Sequence, residues 1–200
     1  MKERVLFTKE WSFCLIDMKD KNEITVEKIK ELLTDGCSVW VAVDGNCASG
    51  KTTFAKELSA FFDCNVFHID DFYLPKILQT NEIAGNIDRR RFLEEVLLPL
   101  KNGNESFFRK FDCKTQSYGE PQKTGEKEVN IVEGSFSCHP DFFEFYDMSI
   151  FLTASPDVQK ERIIKRNGED GFKVFEQKWI PAEEKYFKAL SIKEKCTLSF

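Results

Sequence analysis

Histidine is scarce in this 200-residue sequence: only His68 and His139 occur, and neither has a metal-ligand partner at useful spacing. That argues against a histidine-built zinc centre. No stretch approaches the ~18 uninterrupted apolar residues that a membrane-spanning helix requires. The first seventeen residues are broken by Lys2, Glu3, Arg4, Lys9 and Glu10, so they lack the apolar run of an export signal. Positive charge is not in excess either, with 29 basic against 34 acidic residues and a net of -5. No overall field exists to gather nucleic-acid backbones or anionic lipid. Neither nucleic acid nor membrane is expected as a partner. The cysteines Cys14, Cys37, Cys47, Cys64, Cys113, Cys138 and Cys196 contain no C-x-x-C pair. They read as reduced thiols, and the cytoplasm is the expected compartment.

What is present suits one globular domain over residues 1–200, with 42% hydrophobic and 32% charged residues. Residues 1–35 form an N-terminal extension without an assigned role. Within it, residues 3–17 read as one or two short strands and residues 25–33 as a helix stopped by Gly36, with Val26, Ile29, Leu32 and Leu33 on one face. Residues 38–43 are a short apolar, β-branched run typical of a strand buried on both faces. Residues 51–62 read as a helix with Phe54, Leu58 and Phe61 on one side, and 65–69 as the next strand. A helix over 88–100 is interrupted at Pro99. Strands follow at 128–132 and 148–152, and then a helix over about 156–166. The alternation predicts an α/β fold with a mainly parallel central sheet, whose ligands lie at the carboxyl ends of the strands. Residues 102–127 are polar, carry Gly103, Gly119, Pro121 and Gly125, and exceed a plain connection in length. They are expected to form a substrate flap.

The strongest motif is Gly45-Asn46-Cys47-Ala48-Ser49-Gly50-Lys51-Thr52, which satisfies G-x-x-x-x-G-K-[ST] between a strand and a helix. Successive backbone N–H groups of such a turn face phosphate oxygens, and glycine permits the tight bend and close approach. Lys51 can place its ammonium beside the β- and γ-phosphates, and the Thr52 hydroxyl can ligate magnesium. The helix running on through Thr53 adds its positive end. ATP and Mg2+ are the implied ligands. Cys47 reads as an inert thiol inside the loop.

A phosphate cradle alone does not choose between hydrolysis, switching and transfer. Transfer to an alcohol needs a carboxylate near the hydroxyl and acids that hold magnesium. Asp70 and Asp71 follow the strand ending at Ile69, and Asp70 fits the role of base. Glu133 follows the 128–132 strand and precedes Gly134, where it can reach the same crevice as a magnesium ligand.

These residues resemble the uridine kinase-like branch of P-loop kinases, which includes uridine–cytidine kinases, phosphoribulokinase and type I pantothenate kinase. The resemblance spans about residues 39–190 through VAVDGNCASGKTT, HIDDFYLP, GNIDRRRF, FDCKTQSYGEP, VNIVEGSFS and WIPAEEKYF, in the family's order. It implies a three-layer P-loop NTPase fold with a flap hairpin and a helical lid. It also implies that Asp70 is the catalytic base, that Asp88 binds ribose hydroxyls, that Glu133 is the magnesium-associated acid and that Tyr73 belongs to the nucleoside pocket. In the flap, Phe111 and Gln116 stand where pyrimidine nucleoside kinases carry a tyrosine and a histidine that touch the base. Phenylalanine keeps a stacking surface without the hydroxyl, and glutamine can donate and accept but reaches differently. Gln177 matches a nucleoside-contacting glutamine.

Transfer also gains from cations that close over the γ-phosphate. Arg162, Lys165 and Arg166 lie at helical spacing after the last strand, with Asn167-Gly168 as a hinge, so residues 156–188 read as lid and C-terminal helices. Arg89, Arg90 and Arg91 read as helix surface, and Trp179, Tyr186 and Phe187 as packing. The leading expectation is an ATP-dependent nucleoside 5′-kinase. A kinase of a pantothenate-like or sugar-like alcohol and a non-catalytic nucleotide sensor are the alternatives, and homo-oligomerisation is left open.

Overall fold

The computed structural model describes residues 20–33 and 37–200; the strands expected within 3–17 and the stop at Gly36 lie outside them. In chain order the strands are β1 (Val39–Gly45), β2 (Cys64–His68), β3 (Ser106–Asp112), β4 (Ser117–Thr124), β5 (Val129–Glu133), β6 (Met148–Leu152) and β7 (Leu198–Ser199). Five of them form an entirely parallel sheet in the order β2-β5-β1-β6-β7, and β3 and β4 form a separate antiparallel hairpin. The helices are α1 (Lys21–Leu32), α2 (Lys51–Leu58), α3 (Arg89–Phe92), α4 (Leu98–Lys101), α5 (Pro140–Phe143), α6 (Pro156–Val174), α7 (Ile180–Leu190) and α8 (Ile192–Lys195).

The central strand β1 is buried at every position. Its side chains alternate between two hydrophobic layers, as the two-residue period of a strand requires. Val39, Val41 and Val43 pack with Val26, Ile29, Phe54 and Leu58 from α1 and α2. Trp40 and Ala42 point the other way into an aromatic layer with Phe67, Phe72, Phe92, Phe142 and Tyr186. Each such side chain withdrawn from water is worth about 1.5–3 kcal/mol, so one strand anchors both helical layers and fixes where its carboxyl end points.

Three local features depart from the sequence pattern. Helix α2 stops at Leu58 because the chain must turn before β2, so Phe61 is 57% exposed rather than on the apolar face. Pro99 does not end the helix it lies in. A widened π turn over Leu93–Leu97 joins α3 to α4, and the Glu95 carbonyl that Pro99 cannot reach accepts a hydrogen bond from the Ser106 hydroxyl at 2.6 Å. A second π turn, Phe175–Trp179, precedes Pro181 between α6 and α7. Helix α6 is itself kinked at Gly168, whose φ is 74°, so the hinge expected at Asn167-Gly168 is present as a break in the helix. The expected flap is the β3–β4 hairpin. Among the described residues no helix is long and apolar enough to cross a membrane.

Candidate active site

The loop of residues 45–50 leaves the carboxyl end of β1 and delivers the chain into α2. Gly45 has φ 139°, and a Cβ there would lie 2.0 Å from the Leu152 carbonyl oxygen on the neighbouring strand, so no side chain fits. Gly50 takes φ 98° as the helix cap, and Ala48 adopts a left-handed φ of 57° without being glycine. The buried Lys51 ammonium donates to the carbonyls of Gly45 at 2.7 Å and Asn46 at 2.9 Å, which holds it across the mouth of the loop. Residues 47–53 line a cleft of about 850 Å³. Gly45 and Asn46 lie behind that wall and contribute through Lys51.

Opposite the cradle, β2 ends at His68 and a short turn, Ile69–Phe72, presents Asp70 to the cleft. Asp70 is open to the cleft, yet desolvation by the surrounding protein, and then the Glu133 carboxylate, raise its pKa above the ordinary carboxylate value. Glu133, buried at the end of β5, accepts a hydrogen bond from the Thr52 hydroxyl at 2.9 Å. The same Oε1 lies 2.5 Å from His68 Nδ1. That hydrogen bond raises the His68 pKa against the opposing effect of burial. Thr52 and Glu133 thus place hard oxygen donors side by side. Among the described residues no group of three or more His, Cys, Asp or Glu could hold a metal. The pair fits magnesium, which keeps phosphate and water as most of its ligands.

Two polar residues of the site were not singled out from the sequence. Asp44, fully buried immediately before Gly45, accepts from the N–H groups of Gly45 and Cys138 and from the Tyr186 hydroxyl. Burial pushes its pKa up to about 6, with Lys51 and those hydrogen bonds opposing the rise. Glu183 on α7, 4% exposed, accepts from the Cys47 N–H at 2.7 Å and hydrogen-bonds the Ser135 hydroxyl. Burial, and then Glu183, push the Cys47 thiol far above its ordinary range, so this loop thiol is held protonated. The available signal was the acid and tyrosine three apart in WIPAEEKYF, where Tyr186 reads as packing alone.

The expected lid cations and acceptor residues divide. Arg162 donates from Nη1 to the Ala48 carbonyl at 2.8 Å, and Arg166, whose guanidinium lies over the Phe175 ring, also lines the cleft; Lys165 does not. Tyr73 lines the cleft beside Asp70, and burial and then the Asp70 charge raise its phenol pKa. Gln116 lines it too, but its amide is engaged: Oε1 accepts from the Lys76 N–H and Nε2 donates to the Cys113 carbonyl. Phe111 is buried and packs edge-on against Tyr118, off the cleft wall. Asp88 caps α3 by accepting from the Arg91 N–H at 3.2 Å and faces a separate shallow groove shared with Arg89 and Asp141. Gln177 is exposed outside the cleft, while Phe175, Lys178 and Trp179 of the same turn line it. Of the three arginines read as surface, Arg91 differs. It pairs with Glu95, donates to the Arg109 carbonyl and lies against the Phe72 and Tyr118 rings, so it pins the hairpin to the core.

No protein-family model matches the chain, and no curated protein matches it significantly. Solved structures do. A Bacillus stearothermophilus protein described as a possible uridine kinase is 18% identical with a TM-score of 0.68, over 92% of this chain and 99% of its own. A candidate fructose transport system kinase from a Silicibacter species is 20% identical with a TM-score of 0.71, over 91% of this chain and all of its own. The D-glycerate 3-kinase of Cryptococcus neoformans is 15% identical with a TM-score of 0.61, over 83% and 88%. At such identities the likeness is one of fold. The parallel sheet with its flanking helices and the loop from β1 into α2 are the three-layer α/β fold of the P-loop NTPases, and the likeness to these structures extends over most of the chain.

Proposed function

We propose that the chain is an ATP-dependent kinase that moves the γ-phosphate onto a hydroxyl of a small metabolite. The observation that carries this reading is Asp70. It is a cleft-facing carboxylate with no hydrogen bond or ion pair among the described residues, and it opens on the same space as Lys51 and the loop N–H groups. A nucleotide switch has no use for such a group, whereas transfer to an alcohol needs a base for the departing proton. The raised pKa brings Asp70 closer to the working pH of a general base.

Phosphoryl transfer asks mainly for positioning and charge stabilisation. The loop N–H groups and Lys51 would hold the triphosphate. Arg162 and Arg166 would approach the phosphoryl group from the kinked helix. A magnesium ion held by Thr52 and Glu133 would neutralise phosphate charge. Asp70 would orient the hydroxyl and take its proton.

A nucleoside 5′-hydroxyl is the acceptor favoured by the resemblance, through Asp70 and Tyr73. One observation favours a second reading, a sugar-like or pantothenate-like alcohol: Asp88, Phe111 and Gln177, the residues the resemblance assigns to ribose and base, are off the cleft wall. One structural neighbour is described as a D-glycerate 3-kinase and another as a candidate fructose transport system kinase. The test is ADP formation from ATP with uridine, cytidine, pantothenate, D-fructose and D-glycerate as acceptors. Acceptor-dependent ADP supports the kinase, and the preferred compound decides between the readings. Tight ATP binding without ADP from any of them would point to a sensor.

A further inference from the structure

A carboxylate bonded to an N–H of a phosphate cradle is unexpected, because those N–H groups serve an incoming anion. Glu183 is such a carboxylate, and a buried charge is costly unless both oxygens are satisfied. Both are: one by the Cys47 N–H, the other by the Ser135 hydroxyl just beyond Glu133. The buried side chains of α7 are Glu183 and Tyr186, three residues apart and hence on one face of the helix. Tyr186 donates to Asp44 at 2.8 Å, on the other side of Gly45 from Cys47. Helix α7, which continues from the lid segment, therefore grips the first half of the loop at two points.

We infer that Glu183 is a positioning residue of the phosphate loop. By holding the Cys47 N–H and the Ser135 hydroxyl, it fixes the spacing between the cradle and the end of β5, where Glu133 sits. The triphosphate is left the N–H groups of Ala48 and of residues 50–53, since the Ser49 N–H donates to the Asn46 carbonyl at 3.1 Å. Its charge also reaches Asp70 and Tyr73, both of whose pKa values it raises, so it borders the acceptor half of the cleft. The role is carried by hydrogen bonds. A glutamine can keep both, its amide oxygen accepting from Cys47 and its NH2 donating to the Ser135 oxygen.

The inference rests on the kinase reading for its activity measurements, and a second readout is independent of it. In Glu183→Ala, kcat is expected to fall about 100-fold, the size of loss that sub-ångström misplacement of a reacting group produces. The KM for ATP should change much less than kcat, and the melting temperature should fall by a few degrees, because a buried N–H and a hydroxyl lose their acceptor. Glu183→Gln should recover to within about fivefold, since it keeps both hydrogen bonds. Independently, alkylation of Cys47 by iodoacetamide, read by peptide mass spectrometry against exposed Cys113, should be faster in Glu183→Ala than in Glu183→Gln, because only the alanine variant releases the Cys47 N–H and loosens the loop around the thiol. Should Glu183→Ala fail to fold, Ser135→Ala, which removes one of the two hydrogen bonds of Glu183, takes its place in both measurements and should show the same effects at smaller size. An alanine variant with unchanged kcat, a glutamine variant as impaired as alanine, or equal Cys47 alkylation in the two variants would each overturn the inference. If the unaltered protein phosphorylates no acceptor, the kinase reading fails, and the alkylation result still decides whether Glu183 grips the loop.

Discussion

The two halves of the cleft are built differently. The phosphate half comes from one contiguous stretch, residues 45–53, whose geometry is set by backbone conformation and by close contact with β6. The half proposed for the acceptor is assembled from the turn after β2, the hairpin tip, the loop after β5 and the turn before α7, which meet only in the folded chain. The first half tolerates almost no variation in shape. The second can be retuned by moving a hairpin or rotating a helical turn, which is how one fold can serve different acceptors.

The sharpest way to break this comparison is at Asp70, the group that joins the halves. Removing a general base costs about 10²–10⁴ in rate, so Asp70→Asn should abolish measurable transfer; a normal rate would remove its role. Next, Gly45→Ala forces a Cβ into the Leu152 carbonyl at a φ of 139°. It belongs to the class of backbone strain that can exceed about 4 kcal/mol, and the expected result is loss of soluble protein or a large drop in melting temperature. A small drop would mean that the loop can relax.

Acidity affects stability and activity oppositely. Asp44 is fully buried and its pKa rises from the ordinary 3.8 to about 6. A group raised on folding contributes stability that is complete below its unfolded pKa and is lost as pH rises through its folded pKa. For Asp44 that window is from about 4 to about 6, and the difference is on the order of 3 kcal/mol. His68, also raised, acts in the same direction from its ordinary 6.5 upward. Asp44 and His68 should make the unliganded protein melt at a higher temperature at pH 5 than at pH 8, with His139, whose pKa burial lowers, acting against them below its ordinary 6.5; transfer should decline on acidification at a higher pH than an ordinary carboxylate would set, as Asp70 takes up a proton. Equal melting temperatures at the two pH values would contradict the burial of Asp44 as an acid. The smallest expected effect is at Asp88. Loss of its cap in Asp88→Ala should cost about 1 kcal/mol and leave the acceptor KM nearly unchanged. A large rise in that KM would return Asp88 to the acceptor site.

The contrast also explains what the sequence made legible. The strands, the parallel sheet and the loop followed from short apolar runs and a motif whose residues touch one another in sequence. Gln177 lies off the cleft wall because the π turn Phe175–Trp179, adjoining Pro181, advances the helix out of its usual 3.6-residue phase and carries Phe175, Lys178 and Trp179 to the cleft instead. Asp88, which the resemblance assigns to ribose hydroxyls, caps the start of α3 by accepting from the Arg91 N–H, a contact that its place in the motif does not show. Asp44 and Glu183 escaped notice for another reason: their roles depend on α7 crossing the loop from far along the chain, and no local spacing records that contact.

The central claim, that a phosphate cradle and an acceptor base share one cleft, is tested most directly by comparing Asp70→Asn with the unaltered protein in two assays: calorimetric ATP binding, and acceptor-dependent ADP formation across the panel of alcohols. The prediction is ATP affinity within about twofold, since the cradle is intact, together with transfer reduced at least about 100-fold. Transfer at the normal rate, or loss of ATP binding in step with transfer, would contradict it.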